Sequence, residues 1–281
     1  MNEKIHSFFF LLAQQFHYLD VVLKKQKLMI LFICIVSLSL KILLHLLDPT
    51  ISRDGIGYVQ LVQCWHAVRN FDTLITAKPD FWIPPFPLFM MKSLMDMGLS
   101  AENAGILLNI ACGTFVPLIV YGIAWEISHD YRLSFWSALL AVFHPVINEL
   151  SVQIQRDAIY LFFAGCAIWA LCAGLNRKKW QFFCCSGILT GISLLTRFET
   201  LEIVLIATAA LFLAALCKDI TWMRSGFLCL IFLMSFLLSL TLLNQMMGTT
   251  DWILGNYIRY VHWKMDMFFT SANTVFNCKT E

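Results

Sequence analysis

Four short stretches carry side chains whose types and spacing can do chemistry. The first is Arg53-Asp54-Gly55-Ile56-Gly57-Tyr58, an acid flanked by a cation and two glycines. A carboxylate there can accept a proton from a substrate hydroxyl, and Gly55 and Gly57 allow close backbone approach. Asp54 also precedes an apolar-periodic segment, so it reads equally as a helix N-cap. The second stretch is Arg156-Asp157, where the macrodipole of a following helix favours the acid and opposes the arginine. The third is Arg197 with Glu199, either a positional ion pair or an intramembrane functional pair. The fourth is Lys78, which with Arg53 supplies cations for an anionic group, the guanidinium fork being suited to phosphate.

Other candidates fall away. His66, His144 and His262 lack paired ligand spacing, so no metal site is expected and a divalent metal has no support from spacing. No cofactor is expected: the Walker motif, the dinucleotide fingerprint and the nucleophile elbow are all missing from the sequence. The ten cysteines mostly sit inside apolar runs as small core residues. Trp65, Trp82, Trp252 and Trp263 read as interfacial belt residues rather than sugar platforms, and Lys41 as a snorkelling lysine beside His45.

The elements that position these residues must be membrane helices. Of the 281 residues, 59% are hydrophobic and 14% charged, with a mean hydropathy of +0.72. Soluble domains carry about 45–50% apolar and about 25% charged residues, so a water-soluble globule is excluded, as is a disordered chain. The net charge of +2 is spread along the chain and gives no nucleic-acid footprint. The expected fold is an all-α polytopic membrane protein with about seven spans: Leu28–Leu47, Ala104–Ile127, Leu133–Leu150, Ala158–Leu175, Phe182–Leu195, Leu201–Cys217 and Gly226–Leu243. Phe182–Leu195 is short and carries Gly187 and Gly191. Leu133–Leu150 contains His144, Pro145 and Asn148, so both can be tilted, kinked or packed away from lipid.

Lys24, Lys25 and Lys27 place the start of the first span in the cytoplasm. Alternation then puts Arg132, Arg177–Lys179, Lys218 and Arg224 on the same side, and Asp54, Asp157 and Glu199 outside. Residues 1–27 read as a cytoplasmic interfacial helix, 28–243 as the transmembrane domain and 244–281 as an external tail. Within the domain, 48–103 is too long to be a connector. The periodicity of Tyr58, Val59, Leu61, Val62, Trp65, Val68 and Phe71, and the run from Pro84 to Leu99, predict two amphipathic helices on the outer leaflet.

This order resembles the GT-C superfamily, the polytopic glycosyltransferases that use polyprenyl-phosphate sugars. Its nearest branch is the protein-mannosyltransferase, aminoarabinose-transferase and lipopolysaccharide-core transferase clan. The likeness is carried by Arg53–Tyr58, Trp82-Ile83-Pro84-Pro85-Phe86-Pro87-Leu88, Pro145, Gln155-Arg156-Asp157 and Gly187–Glu199, and spans roughly Leu28 to Leu216. The resemblance implies that Asp54 is the general base for an acceptor hydroxyl, attacking a lipid-phosphate sugar with inversion. It also implies that Arg156, Arg197 or Lys78 neutralises the departing phosphate. Arg53, Tyr58, Asp157 and Glu199 then complete the substrate site. Implied partners are the polyprenyl-phosphate-linked sugar, a lipid, glycan or protein acceptor, and membrane lipid, with no nucleic acid. The implied location is a bacterial inner membrane with the site facing the periplasm.

Two departures stand out. The family shows Asp-Glu with a tyrosine three residues after the Glu, whereas here Gly55 replaces the Glu. Members also usually carry more spans and a sizeable external C-terminal domain, which points to a minimal member, a fragment or a degenerate homologue. The competing readings are a non-catalytic homologue that binds lipid-linked sugar or a partner, and a transporter or flippase with ionisable groups near the midplane.

Overall fold

The computed structural model describes residues 26–68 and 85–247. Among the described residues the chain is all helix and turn, with no strand. The order is α1 (Gln26–Leu47), α2 (Arg53–Val68) and α3 (Pro85–Asp96), then α4 (Ala101–Ser128), α5 (Tyr131–Val142) and α6 (Pro145–Val152). There follow α7 (Arg156–Arg177), α8 (Trp180–Leu194), a 3-10 turn (Phe198–Thr200), α9 (Leu201–Leu216) and α10 (Trp222–Met247). The expected interfacial helix at 1–27 lies almost wholly outside the described residues. So does the expected tail, of which 244–247 form the last turn of α10.

α1, α4, α7, α9 with the 3-10 turn, and α10 are each long and apolar enough to cross a membrane. The expected third span exists as α5 and α6, bent by 56° at a break. The expected fifth is α8, only 15 residues, or about 22 Å at 1.5 Å per residue. Five to six spanning elements therefore stand where seven apolar runs were read, and the protein is an integral membrane protein. Large apolar side chains such as Leu31, Ile35, Leu205, Leu213, Leu230 and Leu237 are exposed on the bundle, as lipid-facing positions must be.

α8 is short but connects the same two ends of the bundle as α7. It starts just after the end of α7, and Arg197, just beyond its own end, reaches back to Asp157 at the start of α7. α8 is held by tight packing on two sides, while Trp180, Cys185 and Ile188 stay exposed. Gly187 and Gly191 form a G-x-x-x-G pair facing Ser235 and Ser239 of α10. A Cβ on Gly187 would lie 2.3 Å from the carbonyl oxygen of Phe232, and one on Gly191 would lie 1.8 Å from Ser239 Oγ. Small residues let helix backbones approach this closely in membranes, where van der Waals packing drives association. On the other face Ser186 Oγ donates to the carbonyl of Ala167 on α7 at 2.8 Å.

The α5–α6 break explains a second buried feature. His144 and Pro145 interrupt the helix, because proline supplies no N–H and clashes with the preceding turn. Asn148 Nδ2 donates to the carbonyl of Val142 at 3.0 Å, and Asn148 Oδ1 accepts from Lys41 Nζ at 3.3 Å. Lys41 also donates to Ser37 Oγ at 3.1 Å and is fully buried. The snorkelling expected of Lys41 is therefore wrong. Its ammonium turns inward to the polar groups at the kink instead of reaching for an interface.

The two helices expected in the first loop are present as α2 and α3, but their apolar faces do not lie on a leaflet. Tyr58, Val62, Trp65, Phe86, Leu88 and Met91 are buried in one cluster with Leu108, Ile154, Ile159, Leu195 and Phe236 of the bundle. Trp65 is 3% exposed and packs on Phe89, so it is a core residue and not a belt residue. Covering the bundle end removes the same apolar area from water that lipid would have covered. The N–H of Phe86 donates to the carbonyl of Leu195 at 3.3 Å, which pins the start of α3 to the end of α8.

The α8–α10 contact makes a direct prediction. Gly187→Val should destabilise the purified protein by about 1–3 kcal/mol or more through overpacking, read as a lower thermal unfolding midpoint in detergent. Gly226→Ala, where an added Cβ meets nothing within 4 Å, should leave that midpoint unchanged or raise it.

Candidate active site

The start of α2 is set by Ser52, whose Oγ accepts from the N–H of Gly55 at 3.1 Å and whose carbonyl accepts from Ile56 at 3.0 Å. Ser52 is therefore the N-cap, and the capping role considered for Asp54 is not the one it plays. Asp54 stands in the first turn, exposed, and makes no hydrogen bond or ion pair with another described residue. A first-turn carboxylate is favoured there by the helix dipole.

Gly55 fixes where that turn sits. It is buried, and a Cβ on it would come 2.9 Å from the backbone oxygen of Ile154. The first turn of α2 therefore rests directly on the chain that leads into Arg156 and Asp157. The glycine found where the resembled family carries Glu has a local cause: no side chain fits between α2 and Ile154.

Tyr58, one turn further on, is 6% exposed. Burial pushes its hydroxyl up to about 12; Arg156 and Arg197 oppose the rise and Asp157 and Asp54 add to it. All four charged groups are thus close enough to act on one phenol. Tyr58 remains a neutral donor across the physiological range.

Arg197 ties the other elements together. It bonds Asp157 at the start of α7, and its Nη2 lies 3.1 Å from Glu199 Oε1 on the 3-10 turn. Its guanidinium carbon sits 5.5 Å from the centre of the Tyr160 ring, within cation–π range. Burial works to lower the arginine's pKa, but Glu199 and Asp157 outweigh it and hold it above its ordinary value. Arg156 is near enough to act on both Tyr58 and Glu199.

Six of the eight expected site residues therefore gather at one end of the bundle: Asp54, Tyr58, Arg156, Asp157, Arg197 and Glu199. Arg53 adjoins them in sequence, exposed in the first turn of α2. Lys78 lies outside the described residues. Sequence reasoning missed Tyr160, whereas the close backbone approach expected at Gly55 is present, with Ile154 as its partner. Tyr160 follows Asp157 by three positions on α7, a spacing that puts both on one helix face. Among the described residues, no three His, Cys, Asp or Glu side chains group as metal ligands.

The opposite end is basic and built differently. Glu126, buried near the end of α4, is bridged by Arg177 and bonded by Asn176 at the end of α7. Lys178 donates to the carbonyl of Asp219 at 2.9 Å, and Arg224 to the carbonyl of Lys178 at 2.6 Å. These are structural ties between helix ends.

Comparison with known proteins gives the site its context. The profile of the family described as dolichyl-phosphate-mannose-protein mannosyltransferase matches residues 83–241, more than half of the chain. The chain belongs to that mannosyltransferase family. It is accordingly a membrane glycosyltransferase of the GT-C type. No curated protein matches the sequence. Arg156, Asp157, Arg197 and Glu199 fall inside the family match, whereas Asp54 and Tyr58 precede it and are brought to these residues by the docking of α2. In this mannosyltransferase-family chain the acidic end is thus assembled from a matched core and an upstream helix.

The Gly55 contact can be tested by restoring the acid of the resembled Asp-Glu pattern. Gly55→Glu should displace α2 from Ile154, cost about 1–3 kcal/mol of stability and lower glycosyl transfer. A thermal melt and a transfer assay on the same preparation check both effects.

Proposed function

We propose that the protein transfers a sugar from a polyprenyl-phosphate donor to an acceptor hydroxyl at the extracytoplasmic face of the membrane, with inversion. The observation that supports this reading is the contact of α2 with the Ile154 carbonyl, two residues before Arg156, together with the shared electrostatic influence of Asp54, Arg156, Asp157 and Arg197 on Tyr58. Family membership supplies the reaction class. The sidedness is supported by Lys27, Arg132, Arg177, Lys178, Lys179, Lys218 and Arg224, which lie at the opposite end from Asp54 in alternating loops.

In this mechanism Asp54 takes the proton of the acceptor hydroxyl as its oxygen attacks the anomeric carbon. The bond from that carbon to the phosphate oxygen breaks. Its electron pair leaves with the lipid phosphate, which passes from diester to monoester. Arg156 and Arg197 are positioned to neutralise the charge that develops there, with Lys78 as a further cation. Electrostatic stabilisation of this kind is commonly the largest single contribution to catalysis. Asp157 and Glu199 hold Arg197 in place, and the neutral Tyr58 hydroxyl is available to donate a hydrogen bond. α2 and α3 cover the bundle end and limit the water that would otherwise hydrolyse the donor. A lipid, glycan or protein hydroxyl can serve as acceptor.

A second reading has a specific observation in its favour. Gly55 stands where the resembled family carries Glu, and a chain lacking that carboxylate can hold a lipid-linked sugar without transferring it.

One substitution separates the two. Asp54→Asn should reduce transfer from a polyprenyl-phosphate sugar by about 10²–10⁴-fold, the usual contribution of a general base, with donor binding and thermal midpoint retained. Undiminished transfer in that variant removes Asp54 from the mechanism. Donor binding without transfer by the unaltered protein, across sugar and acceptor classes, establishes the second reading.

A further inference from the structure

A cavity of about 460 Å³ opens at the basic end of the bundle, far from the acidic site. It lies among the end of α7, the start of α8, the end of α9 and the start of α10. Its size falls within the range of about 300–1,000 Å³ typical of ligand pockets. Leu175, Phe183, Leu213 and Leu228 form its apolar walls, and Lys178 and Asp219 stand at its polar rim. Nothing in the transferase chemistry uses it.

The surroundings carry an excess of positive charge. Lys178, Lys179, Lys218 and Arg224 crowd this end of the bundle, and Asp219 is the one acidic residue lining the cavity. Arg177 is already committed to Glu126. Lys178 and Lys218 hold left-handed backbone conformations, with φ of 53° and 63°. Glycine is the ordinary occupant of such helix-ending positions, so both caps keep a cationic side chain where the backbone geometry favours none. The Lys178 ammonium meets only the backbone carbonyl of Asp219 among the described residues, at 2.9 Å. It therefore has donors left for a ligand.

We infer that this cavity binds one anionic glycerophospholipid, with its phosphate at Lys178 and part of an acyl chain against the walls formed by Phe183, Leu213 and Leu228. The chemistry selects this ligand class. An apolar pocket that opens beside a helix end at the membrane face is reached by a lipid tail. The clustered lysines and arginine prefer a net negative head group over a zwitterionic one, as basic pockets between membrane helices do. A free phosphate would satisfy the cations but leave the apolar walls in contact with water.

The test is lipid retention by the full chain, purified in detergent and followed by native mass spectrometry. Phosphatidylglycerol should be retained as a single copy, at least about fivefold more tightly than phosphatidylcholine, the gain expected for one nearby cation. Lys178→Gln should lower phosphatidylglycerol retention by about the same factor with little effect on phosphatidylcholine. Ala214→Phe, which fills the cavity from α9, should abolish retention of the bound copy. Equal retention of the two lipids, or Lys178→Gln protein indistinguishable from wild type, overturns the inference. Displacement of the lipid by glycerol 1-phosphate at comparable concentration also overturns it, because the apolar walls would then contribute nothing. If Ala214→Phe protein does not remain dispersed, the lipid preference of the unaltered chain and the Lys178→Gln comparison decide the matter.

Discussion

The guanidinium of Arg197 is shared between two carboxylates that belong to different elements. Asp157 opens α7, and Glu199 lies on the turn between α8 and α9. α8 is too short to establish its position in a bilayer by length alone. Its far end is located by this shared cation, and its flank by the contact of Gly187 and Gly191 with α10. Partly exposed ion pairs contribute little to stability, so the bridge matters chiefly as a geometric constraint. It brings the start of α7 and the start of α9 to one level, beside α2 and α3, which pack on each other and on α4 and reach this level through Phe86.

That docking turns on small residues. Gly55 lets α2 meet the Ile154 carbonyl, and Gly105 of α4 admits Ile154 and Met91 from the other side. Two turns deeper, Gly113 faces Ser151 and the Lys41 side chain. The segment from α6 to the start of α7 is thus gripped between glycines on α2 and α4. The Val142 carbonyl at the break is taken up by Asn148, whose own side-chain oxygen accepts from Lys41. A break at membrane depth is tolerable when its backbone groups find partners within the protein, and here they do.

Much of this was legible in the sequence, and what was not legible has a physical reason. The long apolar runs fixed the spans because spanning requires about 20 apolar residues whatever surrounds them. Pro145 announced the kink, and the glycines of α8 announced a closely packed helix face. Lys41 and Trp65 were misjudged because side-chain periodicity says that a residue faces something apolar, not whether that is lipid or protein. The cap at Ser52 was missed because Ser52 and Asp54 are equally good cap residues two positions apart, and the choice between them depends on the contact of Gly55 with Ile154. The convergence of Arg156, Asp157 and Arg197 is a matter of helix order, which local spacing does not encode.

The two ends of the bundle differ in the way their charges are paired. At the basic end, Arg177 is bridged to the buried Glu126, and Lys178 and Arg224 each donate to a backbone carbonyl near a helix end. At the acidic end the pairing is incomplete. Arg197 is held by two carboxylates, while Asp54 makes no bond to another described residue, and Arg156 stands near Tyr58 and Glu199 without an ion pair to a described acid. Had Asp54 been the N-cap, its oxygens would have been engaged by the backbone of α2. Because Ser52 performs that task, the Asp54 carboxylate is not engaged in capping and stays exposed in the first turn. That uneven distribution of partners, rather than the mere presence of charged residues, is what distinguishes the two ends of the bundle.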